Sequence, residues 1–305
     1  MSGITRAPIH PAGPALSSCC WGSWRCADHP ETNTPDKLAR LIEFAVELGI
    51  SSFDLADIYG GYRVEPLFGA ALRLTGVDRR TIQLISKADI CPVSAARPGR
   101  RRKFYDTSRQ HLRSSVQTSL EALQTDYLDL LLIHRPDPLM DADETGSALL
   151  EMVREGSIRY PGVSNFSPAQ LDLLQSRMPL PLISNQVECS PLQLSPLFDG
   201  MLDQAQRLRM RPMIWSPLAG GRLFRPETEA EQRVVSALAD VGERAGLAAA
   251  EVALAWLCTL PSRPIPVLGT GDRSRLAAQA RATQRRLERQ DWFQILEAAM
   301  GHPVP

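Results

Sequence analysis

Residues 34–56, TPDKLARLIEFAVELGISSFDLA, contain one full repeat of the pattern that decides the fold. Thr34 can cap a helix N-terminus, Pro35 suits the first turn, and Gly49 suits the left-handed position beyond the last turn. Between them Leu38, Leu41, Ile42, Ala45 and Val46 recur at helical spacing and form one apolar face. The run ISSFDLA then switches to the short, buried pattern of a β-strand.

The same alternation continues in both directions. Candidate strands lie at 15–20, 50–56, 82–88, 127–134, 158–164, 182–188, 212–217 and 265–270. Helical patterns separate most of them, among them SRQHLRSSVQTSLEALQT, DETGSALLEMVREG, SPAQLDLLQSRM and LFDGMLDQAQRLRM. Eight strands alternating with helices over roughly 250–300 residues predict a closed (β/α)8 TIM barrel of the α/β class. A doubly wound sheet is the rival, but it usually carries a GxGxxG turn after an early strand, and none occurs here. No composition shift marks a linker, so residues 1–305 read as one domain, with 1–14 as an irregular lead.

Bulk properties narrow the function. Lys and Arg total 34, as do Asp and Glu, which gives no support for overall attraction to nucleic acid or acidic membranes. The six cysteines lack zinc spacing and any CxxC pair, which suits a reducing compartment. With no apolar leader or membrane-length run, a cytoplasmic protein is expected. Oligomeric state is open.

In such a barrel the chemistry gathers at the C-terminal strand ends. Read in order, those ends present Asp54 with Tyr59 just beyond, Lys87, His134, Ser164 with Asn165, Gln186 and Trp215. A free Tyr is a poor acid, with a pKa near ~10, and a neighbouring ammonium stabilises its phenolate. Lys87 is the available ammonium, Asp54 could hold it charged, and His134 could hydrogen-bond the same substrate oxygen. Such a set can protonate an oxygen that develops negative charge, as in carbonyl reduction. No side chain delivers a hydride, so an organic cofactor is implied. Asp54, Asp57, His134 and Asp137 could instead hold a metal, but the Lys87 ammonium would compete with a cation, so no metal is expected.

FDLADIYG, LISKADI, LDLLLIHRPDP, GSIRYPGVSNFSPAQL, SNQVECSP and IWSPLAGGRLF together resemble the aldo-keto reductase family from about Ser18 onward, closest to its bacterial YdhF-like branch. The resemblance implies a catalytic tetrad of Asp54, Tyr59, Lys87 and His134, with Tyr59 as general acid, and NADPH as cofactor. It implies that Ser164, Asn165 and Gln186 meet the nicotinamide amide and that Trp215 stacks on the ring. Ser216, Pro217, Leu218, Gly220 and Arg222 would run beside the pyrophosphate, and Gly22, Ser23 and Trp24 would meet cofactor and substrate. Gly269, Thr270, Gly271, Arg275 and Gln279 match the segment that holds the adenosine 2′-phosphate. Asp272 stands where the branch tends to carry Lys, which admits NADH as an alternative; Gln279 replaces a common Asn.

The implied partner is a small carbonyl compound, in a pocket walled by Trp24, Tyr59, His134 and Tyr105. The basic run RPGRRRKFYDTSRQH reads as a solvated loop rather than a nucleic-acid site. The loop at 90–107 would lie over the barrel mouth as a lid, bringing Tyr105 or Arg109 to the substrate or cofactor. Relatives of this fold that bind the cofactor as redox-sensing subunits, with little turnover, are the competing class.

Overall fold

The computed structural model describes residues 4–305. The strands are β1 (Arg6–Pro8), β2 (Ala15–Ser17), β3 (Cys20–Gly22), β4 (Ser52–Asp54), β5 (Gln83–Ala88), β6 (Ile90–Cys91), β7 (Phe104–Tyr105), β8 (Leu128–Ile133), β9 (Ile158–Ser164), β10 (Asn185–Glu188), β11 (Met213–Trp215) and β12 (Ile265–Leu268). The helices are α1 (Pro35–Glu47), α2 (Val64–Leu74), α3 (Arg109–Leu123), α4 (Ala142–Glu155), α5 (Pro168–Gln175), α6 (Ser195–Phe198), α7 (Met201–Arg207), α8 (Glu229–Ala245), α9 (Ala249–Cys258), α10 (Arg273–Ala282) and α11 (Arg289–Met300).

Eight strands close into a barrel in the order β3–β4–β5–β8–β9–β10–β11–β12. All its pairings are parallel, and the seam between β12 and β3 pairs Val267 with Cys20 and Leu268 with Trp21. The TIM barrel expected from the alternation is therefore present. Inside it, Cys20, Ile85, Leu130, Leu132, Met213, Ile265 and Val267 form one buried cluster. Two larger clusters fill the space between strands and helices.

Strand alternation sets what stands above that interior layer. Residues two apart share a face, so Lys87 follows Ile85, His134 follows Leu132, and Trp215 follows Met213. The chain thus places polar groups at the mouth by continuing the same inward face past the last apolar residue.

The N-terminal region departs from expectation. The strand expected over 15–20 is two elements: β2 pairs antiparallel with β1, and β3 alone enters the barrel. The lead expected to be irregular therefore carries a hairpin strand; residues 1–3 lie outside the described residues. Ile9 and Leu16 of this hairpin join the barrel interior. Ile9 O accepts from Arg211 N, just ahead of β11, which puts the hairpin across the end opposite the mouth.

Local chemistry explains the helix ends. Ser167 and Gln170 form a reciprocal capping box on α5, as do Thr228 and Glu231 on α8. Thr34 occupies the N-cap of α1, but its side chain makes no capping bond. The segment LFDGMLDQAQRLRM forms two helices, broken where Gly200 adopts φ +83°. At the C-terminus, Trp292 of α11 stacks on Trp256 of α9 at 5.1 Å, each indole N–H bonding the other residue's carbonyl. Among the described residues no helix is long and apolar enough to cross a membrane. All six cysteines are free and buried.

Candidate active site

The ends of β4 and β5 meet at one ammonium group. Lys87 Nζ donates to Asp54 Oδ1 and Oδ2, both at 2.8 Å, to Leu55 O at 2.7 Å and to Tyr59 Oη at 3.2 Å. Lys87 is 1% exposed and Asp54 3%. Such a buried charge is tolerable because its donors are satisfied and a carboxylate faces it. Burial alone would push the ammonium down, but Asp54 and Tyr59 hold it above the ordinary lysine value. Gln186 Nε2 gives Asp54 Oδ1 a further donor at 2.7 Å, and the Ser23 hydroxyl and amide both bond Asp54 O.

The sequence leads one to expect Lys87 to acidify Tyr59. In the folded protein the phenol is instead raised above its ordinary value, because burial outweighs the lysine. Lys87 still opposes that rise through its charge and its hydrogen bond. The result is a phenol that keeps its proton at neutral pH, next to a cation that would stabilise the phenolate once the proton leaves.

His134 stands across from it, the two rings edge to face at 5.9 Å. Burial first, then Lys87, Arg135 and Lys103, push the imidazole well below its ordinary value, so it is neutral at pH 7. Its Nδ1 is buried without a hydrogen-bond partner.

Ser164, Asn165 and Trp215 form a connected shelf beside these groups. Ser164 Oγ donates to Gln186 O at 2.8 Å, and Asn165 Nδ2 donates to Ser164 Oγ at 2.8 Å and His134 O at 3.2 Å. Trp215 Nε1 donates to Asn165 Oδ1 at 3.0 Å, which fixes the half-buried indole at the end of β11. Asn165 adopts φ +61°, a conformation that Asn tolerates better than most residues.

Beyond Trp215, Ser216, Ala219, Gly220 and Gly221 all have positive φ, which curls the chain into a tight cradle. Pro217 is buried and Leu218 half-buried within it. Arg222, expected beside a pyrophosphate, bonds Glu231 Oε1 at 3.2 Å instead, so its charge is engaged by the cap of α8. Gly22 is buried at the end of β3, whereas Trp24 is 58% exposed with the Arg25 guanidinium 5.0 Å from its ring.

The segment after β12 turns through Gly269, Thr270 and Gly271 into α10. Asp272 is the N-cap of that helix: its carboxylate accepts from Arg275 N at 2.8 Å and lies 3.8 Å from Arg275 Nε. Gln279 is buried one turn on. Gly271, Asp272, Arg273 and Ser274 line a cavity of about 330 Å³ whose other wall is Glu31, Lys37, Arg40 and Leu41. Lys37 and Arg40 were invisible as site residues in the sequence. They sit on the polar face of α1, and only barrel closure sets α1 beside α10.

The 90–107 loop is built differently from a free lid. β6 and β7 pair antiparallel at its base, Ile90 opposite Tyr105. Arg97 lies 5.3 Å from the Tyr62 ring and Arg100 bonds its hydroxyl at 2.6 Å. Arg109, expected near substrate or cofactor, pairs with Glu151 across α3 and α4. Asp57 is buried with Oδ1 unpartnered and its carboxyl pushed up to about 8 by burial and Glu65. Among the described residues no group of three or more His, Cys, Asp or Glu side chains could hold a metal ion.

A closed barrel whose mouth holds an Asp–Lys–Tyr–His constellation beside an indole shelf defines a class of proteins. The Aldo/keto reductase family model matches residues 19–299, and the chain belongs to that family of oxidoreductases. It is 45% identical over 303 residues to oxidoreductase YdhF of Escherichia coli, covering 99% of this chain and 100% of that protein. It is 40% identical to a 6-dehydroglucose reductase of Agrobacterium fabrum, covering 95% of this chain and 96% of that one. Among solved structures it resembles a thermostable aldo-keto reductase, Tm1743, crystallised with the inhibitor epalrestat, at TM-score 0.82 and 26% identity over 97% of this chain and 100% of that one.

Proposed function

We propose that this oxidoreductase reduces an aldehyde or ketone to an alcohol, with NADPH as hydride source. The observation that carries the reading is the buried Lys87 ammonium, hydrogen-bonded at once to the Asp54 carboxylate and the Tyr59 phenol. The bound cofactor would supply a hydride to the carbonyl carbon. Everything else falls to the chain. Tyr59 gives its proton to the oxygen as negative charge grows there, and Lys87 stabilises the phenolate left behind. Neutral His134 holds the oxygen in line. Asp54 keeps Lys87 charged and pointed at Tyr59.

The donor set fits the proposed cofactor. Trp215 offers a half-buried ring platform, and Ser164, Asn165 and Gln186 are the amide and hydroxyl groups beside it. The curled cradle at Gly220 and Gly221 brings bare backbone to where a pyrophosphate would lie. The cavity at α10 supports NADPH, with Lys37, Arg40 and Arg273 as cations around the 2′-phosphate and Arg275 as a further fork. Because Asp272 already caps the helix and faces Arg275, part of its repulsion toward a phosphate is met locally, and NADH remains the alternative cofactor. Trp24 and Tyr105 would wall the substrate, with Tyr105 held in place by the β6–β7 pairing.

The reading is tested by following oxidation of NADPH and of NADH by purified protein against a panel of aldehydes and ketones. Carbonyl-dependent oxidation, faster with NADPH, is expected. Tight cofactor binding with no carbonyl-dependent oxidation would refute it and favour a redox-sensing subunit.

A further inference from the structure

Among the described residues one cation at the mouth has no ion-pair partner. Arg135 directly follows His134 beyond the end of β8, and its backbone N–H is held by Asp89 Oδ2 at 2.9 Å. Asp89 is fully buried and takes φ +117°, an outlier for a residue with a side chain, so this tether fixes where the Arg135 side chain starts. The guanidinium of Arg135 lies 5.6 Å from the centre of the Trp215 ring. It is close enough to act on both Tyr59 and His134.

Among the described residues Arg135 enters no ion pair, and its side chain donates no hydrogen bond to the protein. The carboxylates around it do not answer its charge. Asp89 is spent on the Arg135 backbone, Asp137 bonds Thr107 and the Leu139 amide, and Glu188 feels the Arg135 charge but forms no ion pair with it. A half-buried guanidinium with no protein acceptor keeps its planar set of donors free for a ligand. Lys103, the other outer cation acting on His134, adds to the positive bias at the same spot.

We propose that Arg135 is a substrate-reading residue and that the carbonyl substrate carries an oxyanion, a carboxylate or phosphate, a few atoms from the carbonyl. The planar fork of Arg135 takes such a group in a bidentate manner, while Tyr59 and His134 hold the carbonyl oxygen. Arg135 passes no proton itself, although its charge is felt by Tyr59 and His134. It sets which carbonyl compounds dwell in the mouth. The inference rests on the carbonyl-reductase reading of this site, and its test separates the two.

The test compares succinic semialdehyde with butanal, two four-carbon aldehydes that differ by one carboxylate, in wild type, Arg135→Met and Arg135→Lys. In wild type kcat/KM favours the acid aldehyde, and Arg135→Met lowers the acid-to-neutral ratio by about 10- to 100-fold, mainly through KM. Arg135→Lys keeps the charge without the fork and falls between. Glyceraldehyde 3-phosphate against glyceraldehyde repeats the comparison for phosphate. Calorimetric binding of succinate, which has no carbonyl to reduce, gives a readout free of turnover. Succinate binding lost in Arg135→Met, in a protein that reduces neither aldehyde, would keep the inference and remove the reductase reading. Unchanged ratios in both substrate pairs would overturn the inference. So would an Arg135→Met effect confined to the affinity for NADPH, measured by fluorescence quenching, since it would assign the guanidinium to the cofactor.

Discussion

Replacing Lys87 by Met separates what the buried ion pair does for folding from what it does for chemistry. Met has nearly the length of Lys and no charge. The substitution strips Asp54 of two contacts at 2.8 Å and leaves Gln186 Nε2, at 2.7 Å, as its remaining side-chain donor. Asp54 is 3% exposed, so water cannot replace the lost ammonium. Orphaning one partner of a buried pair costs about 3–5 kcal/mol, and that is the expected loss in urea unfolding at pH 7. Adding Asp54→Asn removes the stranded charge, so the double variant should be more stable than Lys87→Met alone, with a coupling energy of about 2–3 kcal/mol. Activity should not follow. Without the ammonium, Tyr59 has nothing to stabilise its phenolate, and the double variant should stay slower than wild type by about 10²-fold or more. Losses that simply add, to within about 0.5 kcal/mol, would refute the reasoning. So would a double variant that regains turnover along with stability.

Three further outcomes follow from the geometry. The Asp57 carboxyl is held at about 8 when folded, against an unfolded value near ~4, so between those values the folded state keeps a proton that the unfolded chain has lost. Stability therefore falls as pH rises across that window, and Asp57→Asn should gain on wild type in urea midpoint from pH 5 to pH 8; equal differences at both pH values would refute this. His134 is pushed well below its ordinary value and should already be neutral, so kcat/KM should show no limb near pH ~6.5; a rise through that pH that His134→Gln abolishes would contradict it. Asp272→Asn keeps a good helix cap but drops the charge, and should tighten NADPH about threefold in fluorescence titration while leaving NADH unchanged; an equal change for both would show that the effect is structural.

The barrel and the meeting of Asp54, Tyr59, Lys87 and His134 were legible in the sequence because both follow from short-range rules. Strand alternation carries Leu132 into His134 and Ile85 into Lys87, so the inward face announces its own polar end. What the sequence hid depends on packing between distant segments. Nothing near Ala15 tells that β2 pairs with Arg6–Pro8 while β3, three residues on, belongs to the barrel. Arg222 reads as a free cation until α8 brings Glu231 to it, and Arg109 until α4 brings Glu151. Lys37 and Arg40 gain meaning only when α1 and α10 share a cavity wall. The net proton affinity of Tyr59 was hidden for a related reason: the lysine that lowers it is visible in the sequence, the burial that raises it is not.

The most direct test of the account is a single turnover of NADPH-loaded Tyr59→Phe against a carbonyl substrate, beside wild type, with NADPH affinity measured in parallel. The account predicts that NADPH affinity stays within about twofold while hydride transfer slows by about 10²-fold or more, since only the proton donor is gone. Transfer at the wild-type rate would contradict it, and would mean that the phenol held by Lys87 is not the acid.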